Sequence, residues 1–151
     1  MNLTNVYLWL NSSDANPNKI MDLALSAVRQ GNLPCLSLLV DYSRRHPGIF
    51  NFRAENNRLL NLACLTGQVS ILKFLLACPE ITEADICSLN SNILFSAALS
   101  STNSLEILSL LMLYPLNWTY QLPDMISLAQ NSNNIPLLNF LRSVSVNYSQ
   151  V

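Results

Sequence analysis

One histidine and four cysteines are the chain's most reactive side chains, and they are the first places to look for chemistry. His46 lies in the run Arg44-Arg45-His46-Pro47-Gly48. A catalytic imidazole works with a nucleophile and an orienting carboxylate, and Asp41 is the only acid close in sequence. No Ser or Cys stands in a recognisable nucleophile setting, so His46 reads as a loop histidine. Cys35, Cys64, Cys78 and Cys87 form no CxxC pair, and each sits in or beside a Leu-rich stretch. There a free thiol packs as a small hydrophobe, and four reduced thiols suit a cytosol. Structural zinc takes several Cys and His ligands at set spacing, which a single histidine scarcely allows. Glu80, Glu83 and Asp85 gather acid in one segment, a cluster that reads as a solvated face before it reads as a metal site. The glycines build no phosphate loop, and no calcium loop is present. The terminal Ser149-Gln150-Val151 fits the loose pattern captured by carboxylate-binding domains, a match that chance supplies easily. No catalytic, cofactor-binding or metal-ligating residue is assigned, and no enzyme is expected.

Composition narrows the classes further. Half of the 151 residues are hydrophobic and 11% are charged, with Leu at 30 positions, Asn at 19 and Ser at 18. That much apolar surface excludes intrinsic disorder, and the length suits one domain. The net charge of −1 lacks the basic excess by which a general nucleic-acid binder displaces counterions. Mean hydropathy is +0.27. Yet no unbroken apolar run exceeds five residues, whereas a spanning helix needs about 20. The N-terminus has no basic region ahead of its apolar stretch and makes a poor secretory signal.

The elements that would position these groups repeat. Each of four segments reads as a short apolar helix with small residues, a tight turn and a Leu-rich helix. The clearest runs from Arg58 through Leu59-Leu60-Asn61-Leu62-Ala63-Cys64-Leu65-Thr66-Gly67 to Leu76, with others at 22–40, 92–112 and 124–142. The turn residues Gly31, Gly67, Asn103 and Asn133 are 36, 36 and 30 apart, a mean of 34. Gly reaches the left-handed region without a Cβ penalty, and Asn tolerates it next best. Pro34 and Pro136 fall where the first turn of a second helix accepts a missing N–H. Ile71, Leu72, Leu75 and Leu76 form a wide helical stripe, as do Ile107, Leu108, Leu111 and Met112. Small residues at Ala27, Ala63, Ala97 and Ala129 would let neighbouring helix pairs approach. The pattern predicts an all-α chain with Leu60, Ala63, Ile71, Leu72 and Leu75 buried.

These segments resemble ankyrin repeats. The stretch from Arg58 to Gln68 aligns with the family's T-P-L-H-x-A-A-x-x-G-H, and Ile71, Leu75 and Leu76 fall where the family keeps aliphatics. The segment from Asn92 to Ala98 fits as well, with two extra residues around Ser101 and Thr102. The Thr-Pro opening and the His are missing: Leu25, Asn61, Phe95 and Ser127 occupy the His place. The resemblance covers about residues 20–142. It implies an ankyrin-like solenoid of about four repeats with irregular connecting loops. The whole of 1–151 then forms one domain, with a cap over 1–19 and repeats over 20–57, 58–91, 92–123 and 124–151. It further implies a non-enzymatic module, a monomer on its own, that holds a partner protein on its concave face and loop tips. Low-charge, Leu/Asn/Ser-rich ankyrin chains also resemble effectors that intracellular bacterial pathogens deliver into a host cytosol. The alternatives are a recruiting or structural fragment of a larger enzyme or assembly, or a small helical enzyme.

The connectors differ from one another. Residues 1–16 carry Val6 to Leu10 and are expected to form a capping helix. The first connector, with Phe50-Asn51 and Ala54 to Asn57, reads as a projecting finger. The second is expected to hold a short helix, started by Thr82 with Asp85 three residues on. The third, Tyr114 to Pro123, is expected to be extended. Residues 42–58 carry Arg44, Arg45, Arg53 and Arg58 against Glu55, a local +3. Arg and aromatic side chains are favoured at interfaces. The candidate partner-binding residues are therefore Arg44, Arg45, Phe52, Arg53 and Arg58, with Trp118 and Tyr120 of the third connector. Phe50 and Phe52 either face a partner or pack beneath their loop.

Overall fold

The computed structural model describes residues 2–51, 54–88, 90–100 and 103–148. Among them the chain is all-helical, with no strand. The helices are α1 (Leu3–Leu10), α2 (Pro17–Arg29), α3 (Leu33–Arg45), α4 (Ala54–Leu65) and α5 (Val69–Leu76), then α6 (Glu83–Ser88), α7 (Asn90–Leu99), α8 (Ser104–Leu111), α9 (Leu122–Asn131) and α10 (Ile135–Tyr148).

Asparagine starts many of them. Asn2, Asn16, Asn32 and Asn134 each accept a backbone N–H of the following first turn, at 2.9, 3.0, 3.1 and 3.2 Å. Each satisfies a donor that the helix itself leaves unpaired, and Ala in such a place costs about 1 kcal/mol. Pro17 and Pro34 stand in the first turns of α2 and α3, where no intrahelical N–H is lost.

The turns repeat almost bond for bond. Gly31, Gly67 and Asn133 adopt φ of 67°, 70° and 53°. The next residue's N–H reaches back to Ala27, Ala63 and Ala129 at 2.8, 3.0 and 2.9 Å. This is the six-to-one closure of a helix ending in a left-handed residue. The same alanines are buried, as is Ala97. Asn103 departs from the pattern with φ of −133°. Its side chain instead donates from Nδ2 to the Gly67 carbonyl at 2.8 Å, tying one turn to the previous one.

Packing follows this order. α2 pairs with α3, α4 with α5, α7 with α8 and α9 with α10. First helices also meet in sequence, α2 on α4, α4 on α7 and α7 on α9, while α5 meets α8 and α8 meets α10. One apolar cluster runs through all the pairs and includes Leu60, Ala63, Ile71, Leu72 and Leu75, each buried as expected. The cap residues form α1, which packs on α3 and buries Val6 and Leu10.

The connectors bring one correction. Ala54 to Asn57 belong to α4 rather than to a projecting finger, with Asn57 buried at φ 54° inside the helix. The second connector does hold a short helix, α6. Its start is reciprocal: Thr82 N–H donates to Asp85 Oδ2 at 2.8 Å, and Asp85 N–H donates to Thr82 Oγ1 at 3.3 Å. The third connector is irregular from Pro115 to Trp118, with Leu116 and Trp118 buried and Asn117 and Thr119 exposed between and after them.

Candidate partner-binding face

The arginines expected to face a partner separate once folded. Arg44, near the end of α3, donates to both Glu80 oxygens, from Nε at 2.6 Å and from Nη2 at 3.1 Å, and lies 3.7 Å from Asp41. This fork-to-fork pair ties α3 to the segment after α5. The Arg44 hydrogen bonds hold the Glu80 carboxyl below its usual range, and Glu80 in turn raises the guanidinium. Arg45 folds back on its own helix, Nε donating to the Asp41 carbonyl at 3.2 Å. The His46 ring stacks on Tyr42 at 4.2 Å between centroids, with Nδ1 3.0 Å from the Tyr42 carbonyl. That is a helix-end contact.

Arg58 is exposed on α4 and lines a cleft of about 370 Å³ with Asp22, Met21 and Phe50. Phe50 is half-buried and also walls a second cleft of about 400 Å³ beside Arg44 and Glu80. The fold thus gathers Arg44, Phe50 and Arg58 around the first connector. Phe52 and Arg53 lie outside the described residues. Trp118 is corrected: at 1% exposure it is a core residue, its large ring withdrawn from any partner. Tyr120, two residues on, is 81% exposed and stands apart from both clefts.

Apolar side chains are also exposed on the first helices. Leu65 of α4 and Leu99 of α7 are 48% and 43% exposed, with Phe95 beside Leu99 at 38%. Half-buried Leu62 and Leu128 continue the surface onto the body of α4 and onto α9. Contacts between successive turns join the helix pairs beside these side chains. A Cβ on Gly31 would meet the Gln68 side chain at 2.7 Å, so the first two turns abut. The Asn103–Gly67 bond joins the second and third. A cleft of about 260 Å³ lined by Leu99, Ser100, Leu128 and Asn134 joins the third and fourth. Arg29, Leu65, Leu99 and Asn131 are the last residues of α2, α4, α7 and α9, and each is exposed. Leucine at the solvent-facing last place of a first helix was the available signal, and reading the arginine-rich connector alone passes over it.

The thiols are sealed to different degrees. Cys35, Cys64 and Cys78 are buried and Cys87 is half-buried, all four free. Burial pushes the Cys64 thiol up to about 12. Burial also raises Cys35 and Cys78, the latter with help from Glu80. Among the described residues no three His, Cys, Asp or Glu side chains gather as metal ligands, and no helix is long and apolar enough to cross a membrane. Comparison with family models, with curated proteins and with solved structures returns no match.

Proposed function

We propose that the chain is a non-enzymatic, ankyrin-like protein-binding module whose first-helix face holds a partner protein. The exposed leucines on that face carry this reading. Aliphatic side chains exposed on successive helices are withdrawn from water when a partner covers them, at about 25 cal/mol for each Å² removed. The ankyrin-like part rests on the repeat residues, on the thrice-repeated turn and on first helices meeting in chain order. Arg58 and Phe50 supply a polar and aromatic edge near the α4 end of the same side. The four free thiols support a cytosolic setting, and the low-charge, Leu/Asn/Ser-rich composition, by its resemblance to bacterial effectors, supports a host cytosol.

A pull-down from cytosol with mass spectrometry tests the reading when run beside a Leu65→Asp/Leu99→Asp double variant. Both sites are solvent-facing, so the variant keeps its fold by circular dichroism and loses the captured partner. Equal capture by both chains would remove the first-helix face from consideration.

A further inference from the structure

We propose that α1 is a lid: it opens from α3 on the linking residues 11–16 while the helix pairs stay folded. α1 has eight residues, and a helix shorter than about 12–15 residues is marginal in water unless packing holds it. The packing here is slight. Val6 and Leu10 are its buried residues, while Leu3, Tyr7 and Leu8 are exposed. Among the described residues, every hydrogen bond of residues 2–15 closes within 2–16. The helix carries no charged side chain, so no ion pair fastens it. Side-chain packing, chiefly on α3, is therefore its whole attachment. The other end of the stack is built differently. α10 runs 14 residues, packs on α8 and α9, and buries Leu137, Leu138, Leu141 and Val144. Local opening is easiest where buried apolar contact is least, so the cap opens first.

The lid covers one edge of α3. α1 and α3 border a groove of about 570 Å³, with Leu3 and Tyr7 on one wall and Pro34 and Leu38 on the other. Cys35 falls on the same side of α3 as Leu38 and Tyr42, at helical spacings of three and seven. Arg44 stands about two and a half turns beyond Cys35, on the opposite side of the helix, and reaches Glu80 after α5. The Cys35 edge is thus turned away from the next helix pair and towards the cap. Cys35 is buried, and burial raises its thiol. Opening of α1 bares this edge, a surface that the closed chain hides. The contacts among α2, α4, α7 and α9 stay in place. Cys35 then reports the opening.

Two readouts on the full chain test this: hydrogen exchange followed by mass spectrometry, and iodoacetamide labelling mapped to each cysteine. The α1 amides should exchange about 100-fold faster than the buried amides of α4. Cys35 should be modified about tenfold or more faster than Cys64, which waits for unfolding of the stack. Val6→Asp puts a charge under the lid and should speed both α1 exchange and Cys35 labelling by about a further tenfold. Cys64 labelling and the melting temperature should stay nearly unchanged in that variant. Protection of α1 equal to that of α4 overturns the lid. Fast α1 exchange with Cys35 labelled no faster than Cys64 in either chain overturns its place over Cys35. Equal acceleration of Cys35 and Cys64 by Val6→Asp makes the cap part of the cooperative core, which overturns the proposal as well.

Discussion

Cys64 shows how a residue's chemistry follows from its address. It occupies the second small position of α4 with no exposed surface, and its thiol is pushed up to about 12, so little thiolate exists at neutral pH. Labelling of the native chain with a thiol reagent should modify Cys87 first and Cys64 only on unfolding; fast stoichiometric labelling of Cys64 would contradict its packing. Arg44 and Glu80 make the second residue-scale case. Glu80 has its carboxyl lowered in the fold, so the pair's contribution is complete above the ordinary carboxylate value of 4.5 and fades as pH falls through the lower folded value. Side chains 42% and 32% exposed are screened by solvent, which limits that contribution to about 1 kcal/mol or less. The melting-temperature gap between the native chain and Glu80→Gln should therefore be small at pH 7 and shrink towards pH 3. Reversing Arg44 to Glu would set three acids together with Asp41 and Glu80, and so would lower stability as well as alter any partner contact.

At the scale of elements, the turn is the repeating device. Gly67 at φ 70° makes a Cβ costly by about 1–2 kcal/mol, whereas Asn133 at φ 53° already bears part of that cost. Chemical denaturation should show Gly67→Ala destabilising by about that amount and Asn133→Gly stabilising by up to about 1 kcal/mol. Opposite signs are the point: equal losses at both sites would mean that the left-handed conformation is not what these positions select. The turn residues, the proline positions and the Thr82–Asp85 helix start were legible because each is decided by bonds within six residues. The finger expected at Ala54 to Asn57 was not. Those residues are mostly polar and resemble a loop tip, whereas the fold runs them into α4, where Asn57 and Leu59 are buried.

For the whole molecule, stability is shared between neighbours. Leu75 is fully buried in a cluster that runs through every helix pair. Leu75→Ala should cost about 2–5 kcal/mol. Since each pair relies on the next, unfolding of a Trp9→Phe variant followed by circular dichroism and by Trp118 fluorescence, then a probe in the far connector alone, should move together. Two separated transitions would show instead that the pairs melt independently. Ties such as Lys73 to Glu106, 33 residues apart at 3.0 Å, cross between successive pairs but are exposed and add little.

Hydrophobic periodicity and turn chemistry act over a few residues, so the sequence by itself determined the helices, their pairing across Gly31, Gly67 and Asn133, the buried stripes and the sealed thiols. What faces outward was decided only by stacking. Arg44 looked like a free interface charge until the fold brought Glu80, 36 positions away, against it. Trp118 and Tyr120 are near neighbours of similar type in one connector, yet one is buried and the other bare. Leu65 and Leu99 read as ordinary members of Leu-rich helices until the fold left them exposed at the ends of two neighbouring first helices. Exposure belongs to the surface left after every element has found its neighbour, and that surface is a property of long-range packing.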